Sequence, residues 1–265
     1  MPFVDANQLR MHVLDEGSGP PLVFLHGFPL DHSMWDAQRR EFTATHRVIV
    51  PDLRGLGRTA VGELPVSMEL IADDIAALLD AKGVSEPIIL CGLSMGGCVA
   101  LAFVRKYPTR VRALILCDAR AGLDTPEARE NRYKLAEKVL TEGPRVAVDA
   151  MLPRLFAAET NKHQPHVIDA VRNVILASSS RGVAAAQRAL AERPDCVPLL
   201  PDIRVPALLI VGEHDVISTP AEMQGMAAAI PGARCVVIPN AGHMAPMEQP
   251  AAVNAAIREF LTQSA

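Results

Sequence analysis

Residues 91–100 read CGLSMGGCVA and follow directly on the apolar run Ile88–Leu90. No helix breaker occurs between them and Pro108, so a buried strand turns here into a helix. Gly92, Leu93, Ser94, Met95 and Gly96 spell G-x-S-x-G in that strand-turn-helix setting. A serine on so sharp a turn has a strained backbone, and its neighbours must be glycine because a Cβ would strike the adjoining strand or helix. The hydroxyl is pushed out of the sheet edge, and the Met95 N–H at the helix start faces any negative charge that forms on a bound carbonyl. Cys91 and Cys98 read as small packing residues behind this turn.

Outward from the turn, short apolar runs recur: PLVFLHG, RVIVPD, PIILCG, VRALILCD, VPALLIVG and ARCVVIPN. Each is strand-length, nearly continuous and closed by Gly, Asp or Asn, the pattern of parallel strands buried on both faces. Between them SMELIADDIAALLDAKG begins at the N-cap candidate Ser67, repeats its apolar residues at helical spacing and stops at Gly83. The alternation predicts an α/β fold. It breaks between about Arg120 and Pro201, where four successive helical patterns run without a strand. The chain therefore divides into a core, residues 1–120 and 201–265, and a helical lid inserted at 121–200.

Composition narrows the partners. The net charge is -4 with no basic run, which argues against nucleic acid and against a charged membrane surface. The N-terminal stretch has no signal-like pattern and no apolar run is long enough to span a bilayer, so the expectation is a soluble, cytoplasmic protein. Four of the five cysteines, Cys91, Cys98, Cys117 and Cys235, lie in apolar runs and no CxxC occurs, so disulfides are not expected. His163 and His166 have no third ligand near them in sequence and read as solvated helix-end residues, and no metal site is assigned.

A serine hydroxyl needs a base, and the base needs an acid to fix its tautomer. His243, in the loop after ARCVVIPN, is the candidate base, preferred over His214, His26 and His32. His214 diverges from its neighbour Asp215 in extended chain, and His26 is expected to brace the turn after PLVFL. The acid has two candidates, Asp215 and Asp118, each closing a strand run. The second amide of an oxyanion hole would come from Phe28, in FLHGFPLDHSMW. Within that stretch His32 and Trp35 are candidate substrate contacts near an acyl pocket, or simply open a helix. Asp52 and Arg54 are expected to pair structurally.

HGFP, PDLRGLGRT, GLSMGG, GEHD and AGHMAPMEQP, in this order, resemble motifs of lid-bearing members of the α/β-hydrolase superfamily. The similarity runs the length of the chain and is nearest to 3-oxoadipate enol-lactonase-like enzymes and the cofactor-free esterase/haloperoxidase group. It implies a mostly parallel eight-stranded sheet with flanking helices, and Asp215 rather than Asp118 as acid. It further implies a serine esterase or lactonase acting on a small-molecule ester or lactone without a cofactor. Leu56 departs from the RGHG turn of many relatives, and Ser94 departs from dehalogenases and epoxide hydrolases, which carry aspartate there. Carbon-carbon bond hydrolases are an alternative, weakened by Leu93 and by Glu213–His214; a slow-turnover ligand receptor on the same fold is another.

Overall fold

Eight strands, β1 (Phe3–Ala6), β2 (Leu9–Glu16), β3 (Pro21–Leu25), β4 (Arg47–Pro51), β5 (Ile88–Leu93), β6 (Val111–Cys117), β7 (Ala207–Gly212) and β8 (Arg234–Ile238), form one sheet. The computed structural model describes residues 2–263. The strand order is β1-β2-β4-β3-β5-β6-β7-β8. β1 and β2 pair antiparallel, as do β2 and β4, and every other pairing is parallel. β3, β5 and β7 are buried at every residue, which is why they read as continuous apolar runs. β8 differs from its expected burial on both faces: it lies at the sheet edge and most of its residues are only partly covered.

The helices are α1 (Asp36–Phe42), α2 (Met68–Ala81), α3 (Met95–Lys106), α4 (Pro126–Glu142), α5 (Arg145–Leu155), α6 (Ala158–His163), α7 (Pro165–Ala177), α8 (Ser180–Ala191), α9 (Pro220–Ala229), α10 (Ala245–Glu248) and α11 (Pro250–Gln263). α2 starts where Ser67 accepts a hydrogen bond from the Leu70 amide. Between β6 and β7 the chain makes five helices, α4 to α8, where the sequence pattern suggested four. The extra one, α6, has six residues, too few to show a helical period. α4 packs along α8, and α8 rests on the core where Gly182 meets the Gly55 backbone.

From β3 the chain moves to β4 on one side and then returns to β5 on the other, so the order reverses at β3. The loops leaving β3 and β5 consequently open side by side at the carboxyl edge, the place where such sheets bind ligands. No described helix is long and apolar enough to cross a membrane. All five cysteines carry free thiols.

Candidate active site

Ser94 is the residue between β5 and α3, with φ 52° and ψ -110°. That left-handed backbone is uncommon for any residue with a Cβ and is the strain the sharp turn demands. Its amide donates to the Cys117 carbonyl at the end of β6, which anchors the turn to the next strand. The flanking glycines are needed for close approach. A Cβ on Gly92 would lie 2.3 Å from the Gly96 carbonyl oxygen, and one on Gly96 would lie 2.2 Å from that of Leu25.

The loop after β8 brings His243 to the turn, with Nε2 2.9 Å from Ser94 Oγ. On the other side of the ring, Nδ1 lies 2.8 Å from Asp215 Oδ2. Asp215 follows β7, and its Oδ1 accepts from the amides of Ile217 and Ser218. Both His243 and Asp215 are buried. This chain of contacts fixes a tautomer with the proton on Nδ1 and the lone pair of Nε2 toward the serine.

The loop after β3 supplies a second backbone donor. The Gly27 carbonyl accepts from the Leu30 amide and from Nδ1 of His26, while His26 Nε2 accepts from the Leu53 amide. In a trans peptide the N–H points opposite the carbonyl, so pinning the Gly27 oxygen aims the Phe28 amide the other way. The Phe28 and Met95 amides have no acceptor among the described residues. His26 is buried outright, and burial lowers its pKa, which keeps the ring neutral in this bridging role.

A cavity of ≈ 80 Å³ adjoins Ser94, His243, Phe28 and Met95. Met151, Leu190 and Ile217 give it apolar walls, and Arg120, Arg132 and Arg193 give it cationic ones. Residues 20–250 match the family model described as the alpha/beta hydrolase fold. The chain is an α/β-hydrolase. It is similar to a thermophilic esterase from Thermogutta terrifontis, solved with malate bound, at 48% identity and a TM-score of 0.96, covering 99% of this chain and 98% of that one. It is also similar to the enol-lactonase from Burkholderia xenovorans LB400, at 32% identity and a TM-score of 0.92, covering 98% of this chain and 100% of that one. 3-Oxoadipate enol-lactonase 2 of Acinetobacter baylyi is 28% identical over 96% of this chain and 92% of its own length.

The hydrolase places some residues elsewhere than its sequence suggested. Trp35 is fully buried against Phe24, with ring centroids 4.9 Å apart, and does not line the cavity. His32 does not line the cavity either, and its Nδ1 lies 2.7 Å from Asp52 Oδ1. Both belong to a 3₁₀ turn that leads into α1 and packs against the sheet, which is the helix-opening alternative of the sequence. The expected Asp52–Arg54 pair does not form. Arg54 instead grips Asp74 of α2 through Nε and Nη2 at 2.7 and 2.6 Å, while Asp52 collects His32, His12 and the Arg58 amide. Cys98 is not behind the turn but in the cavity wall. His214 is exposed beside Glu213.

Asp118 shares a neighbourhood with Asp215 and His243, and their possible ligand atoms lie within 4.8 Å of one another. It is fully buried, its Oδ1 accepts from the Gly212 amide, and its Oδ2 has no partner among the described residues. Burial, then the Asp215 charge, push its pKa well above its ordinary value. Asp118 thus holds the Gly212 amide while Asp215 takes the histidine. His12, His32 and Asp52 also cluster within 4.8 Å, but Arg58 Nη1 sits 3.3 Å from His12 Nε2 and already supplies positive charge there.

Sequence reasoning missed Glu248. Its Oε1 accepts from the amides of Gly242 and Met244, on either side of His243, and its Oε2 accepts from the Ala157 amide and Thr160 Oγ1 of the inserted helices. The signal was one acid in the apolar turn AGHMAPMEQP, five residues after the histidine. Burial raises its pKa although four hydrogen bonds oppose the rise. The three cavity arginines were missed too, because each sits in a helix or loop whose pattern reads only as an exposed charge.

Proposed function

We propose that this α/β-hydrolase is a carboxylic ester hydrolase, an esterase or lactonase, that works through an acyl-enzyme on Ser94. The observation that carries the reading is the Ser94–His243–Asp215 relay, with contacts of 2.9 and 2.8 Å, beside two unoccupied backbone donors. The similarity to an esterase and to enol-lactonases supports the same chemistry.

In the first half-reaction Ser94 Oγ forms a bond to the carbonyl carbon as its proton passes to His243 Nε2. The carbonyl electron pair moves onto oxygen, where the Phe28 and Met95 amides stabilise it. Asp215 holds the imidazolium in register. When the carbonyl re-forms, the carbon–oxygen bond to the alcohol breaks and the leaving oxygen takes the proton from His243. Water then repeats the sequence on the acyl-enzyme, giving up a proton to His243 and releasing the acid and Ser94. In a lactone the leaving alcohol stays attached, so a single hydroxy acid departs. The helices α4 to α8 act as the lid over this cavity, and Glu248 ties them to the histidine loop.

Ser94→Ala tests the reading with p-nitrophenyl acetate. The expected loss in kcat is on the order of 10⁶, since triad members act as a unit. Turnover within tenfold of wild type would reject Ser94 as nucleophile.

A further inference from the structure

The inference concerns what the cavity holds, and it rests on Ser94 being the nucleophile. Arg120, Arg132 and Arg193 come from three separate places, the loop after β6, α4 and the loop after α8, yet all line the one small cavity that contains Ser94 and His243. Arg132 and Arg193 both pair with Asp124, and Arg120 pairs with Glu222. Three guanidiniums thus share two carboxylate partners. The Arg193 side chain is only 4% exposed. Its Nη atoms are committed to Asp124, Leu190 and Gly122, but its buried Nε has no partner among the described residues. Arg120 donates through Nη2 to Glu222 and has no other side-chain hydrogen bond among the described residues. A guanidinium has five N–H groups, so donors remain for a ligand.

Burial, helped by the Asp124 charge, pushes the Cys98 thiol in the cavity wall upward, while Arg193, Arg132 and Arg120 pull against that rise. Burial also works against the charged form of Asp124, but its bonds from Arg193 and Arg132 prevail and hold it at about 2, so it remains a carboxylate and keeps both guanidiniums in place.

We infer that the Ser94 cavity selects substrates that carry a carboxylate, bound by Arg120, Arg132 and Arg193, so that the preferred substrates are monoanionic short esters or lactones. A planar guanidinium matches a carboxylate through two parallel hydrogen bonds. The apolar wall of Met151, Leu190 and Ile217 receives the short chain between carboxylate and ester.

The test compares kcat/KM for monomethyl succinate, ionised at neutral pH, with that for neutral dimethyl succinate. Wild type is expected to favour the monoanion by about tenfold or more, as charge-assisted bidentate contacts do. Arg120→Met and Arg132→Met are each expected to cut that ratio roughly tenfold, with Arg120→Lys recovering part of it. A second readout needs no variant: succinate should inhibit p-nitrophenyl acetate hydrolysis by the wild-type enzyme more strongly than succinamide. Equal or better turnover of the diester, an unchanged ratio in the folded variants, or equal inhibition by the two compounds overturns the inference. If Ser94→Ala abolishes p-nitrophenyl acetate hydrolysis while the monoanion gains nothing, this inference alone fails. If Ser94→Ala stays active, the nucleophile reading fails first.

Discussion

Asp118 and Asp215 close neighbouring strands, and both lie near His243, so strand-end position alone could not choose between them. Their surroundings differ sharply. Asp215 spends one oxygen on His243 and the other on two backbone amides, whereas Asp118 has one oxygen on Gly212 and one on nothing. Asparagine is close to Asp118 in shape, and its Oδ1 still accepts from Gly212. Asp118→Asn is therefore expected to leave kcat for a p-nitrophenyl ester within about tenfold of wild type. Asp215→Asn removes the group that holds the imidazolium and is expected to cost about 10⁴ in kcat. The reverse pattern would transfer the acid role to Asp118. The residues that could be picked from sequence, Ser94, His243 and the two acids, are those held at strand ends by local turns. The pairing of Arg54 with Asp74, like the convergence of three arginines on one cavity, depends on loop paths that no local spacing encodes.

Among elements, the β/α alternation could be read because parallel strands covered on both faces leave uninterrupted apolar runs, and α2 announces itself by cap, period and terminal glycine. The edge hairpin of β1 and β2 left no comparable signal, since exposed and partly covered residues break its pattern. α6 was too short to show a period, yet it carries one end of the Glu248 contact. That carboxylate joins the histidine loop to the inserted helices with two donors on each oxygen. Glu248→Gln turns one oxygen into an N–H₂ group facing donors, leaving two buried donors unpaired, so the expected loss is about 2–4 kcal/mol of stability. Because two of the four donors flank His243, kcat should fall more than KM rises. Urea unfolding together with steady-state kinetics checks both; a loss of stability with kcat intact would separate Glu248 from the histidine loop.

For the whole molecule, the Asp52 cluster is a hub that joins β2 through His12, the turn after β3 through His32 and the loop after β4 through Arg58. Burial raises the Asp52 pKa, but the hydrogen bond to His32 and the amides of Arg58 and His32 outweigh it and bring the group from 3.8 down to about 2. A depressed carboxylate stabilises the fold above its unfolded pKa, and that contribution, about 2 kcal/mol here, disappears as pH falls through about 2. His32 has the opposite sign: its hydrogen bond to Asp52 raises its pKa, so its contribution is complete below 6.5 and is lost as pH climbs through the raised value. Burial lowers the pKa of His12, which offsets part of the His32 effect near neutrality. Asp124 also sits at about 2, but it is common to wild type and to an Asp52→Asn variant and cancels in their difference. The stability gap between those two proteins should therefore be widest between about pH 4 and 6. It should narrow toward pH 2 as Asp52 protonates and narrow again on the alkaline side as His32 loses its proton. Calorimetric Tm values at half-unit steps trace the gap, and a difference that stays constant across the range would show that Asp52 acts through packing and not through its charge.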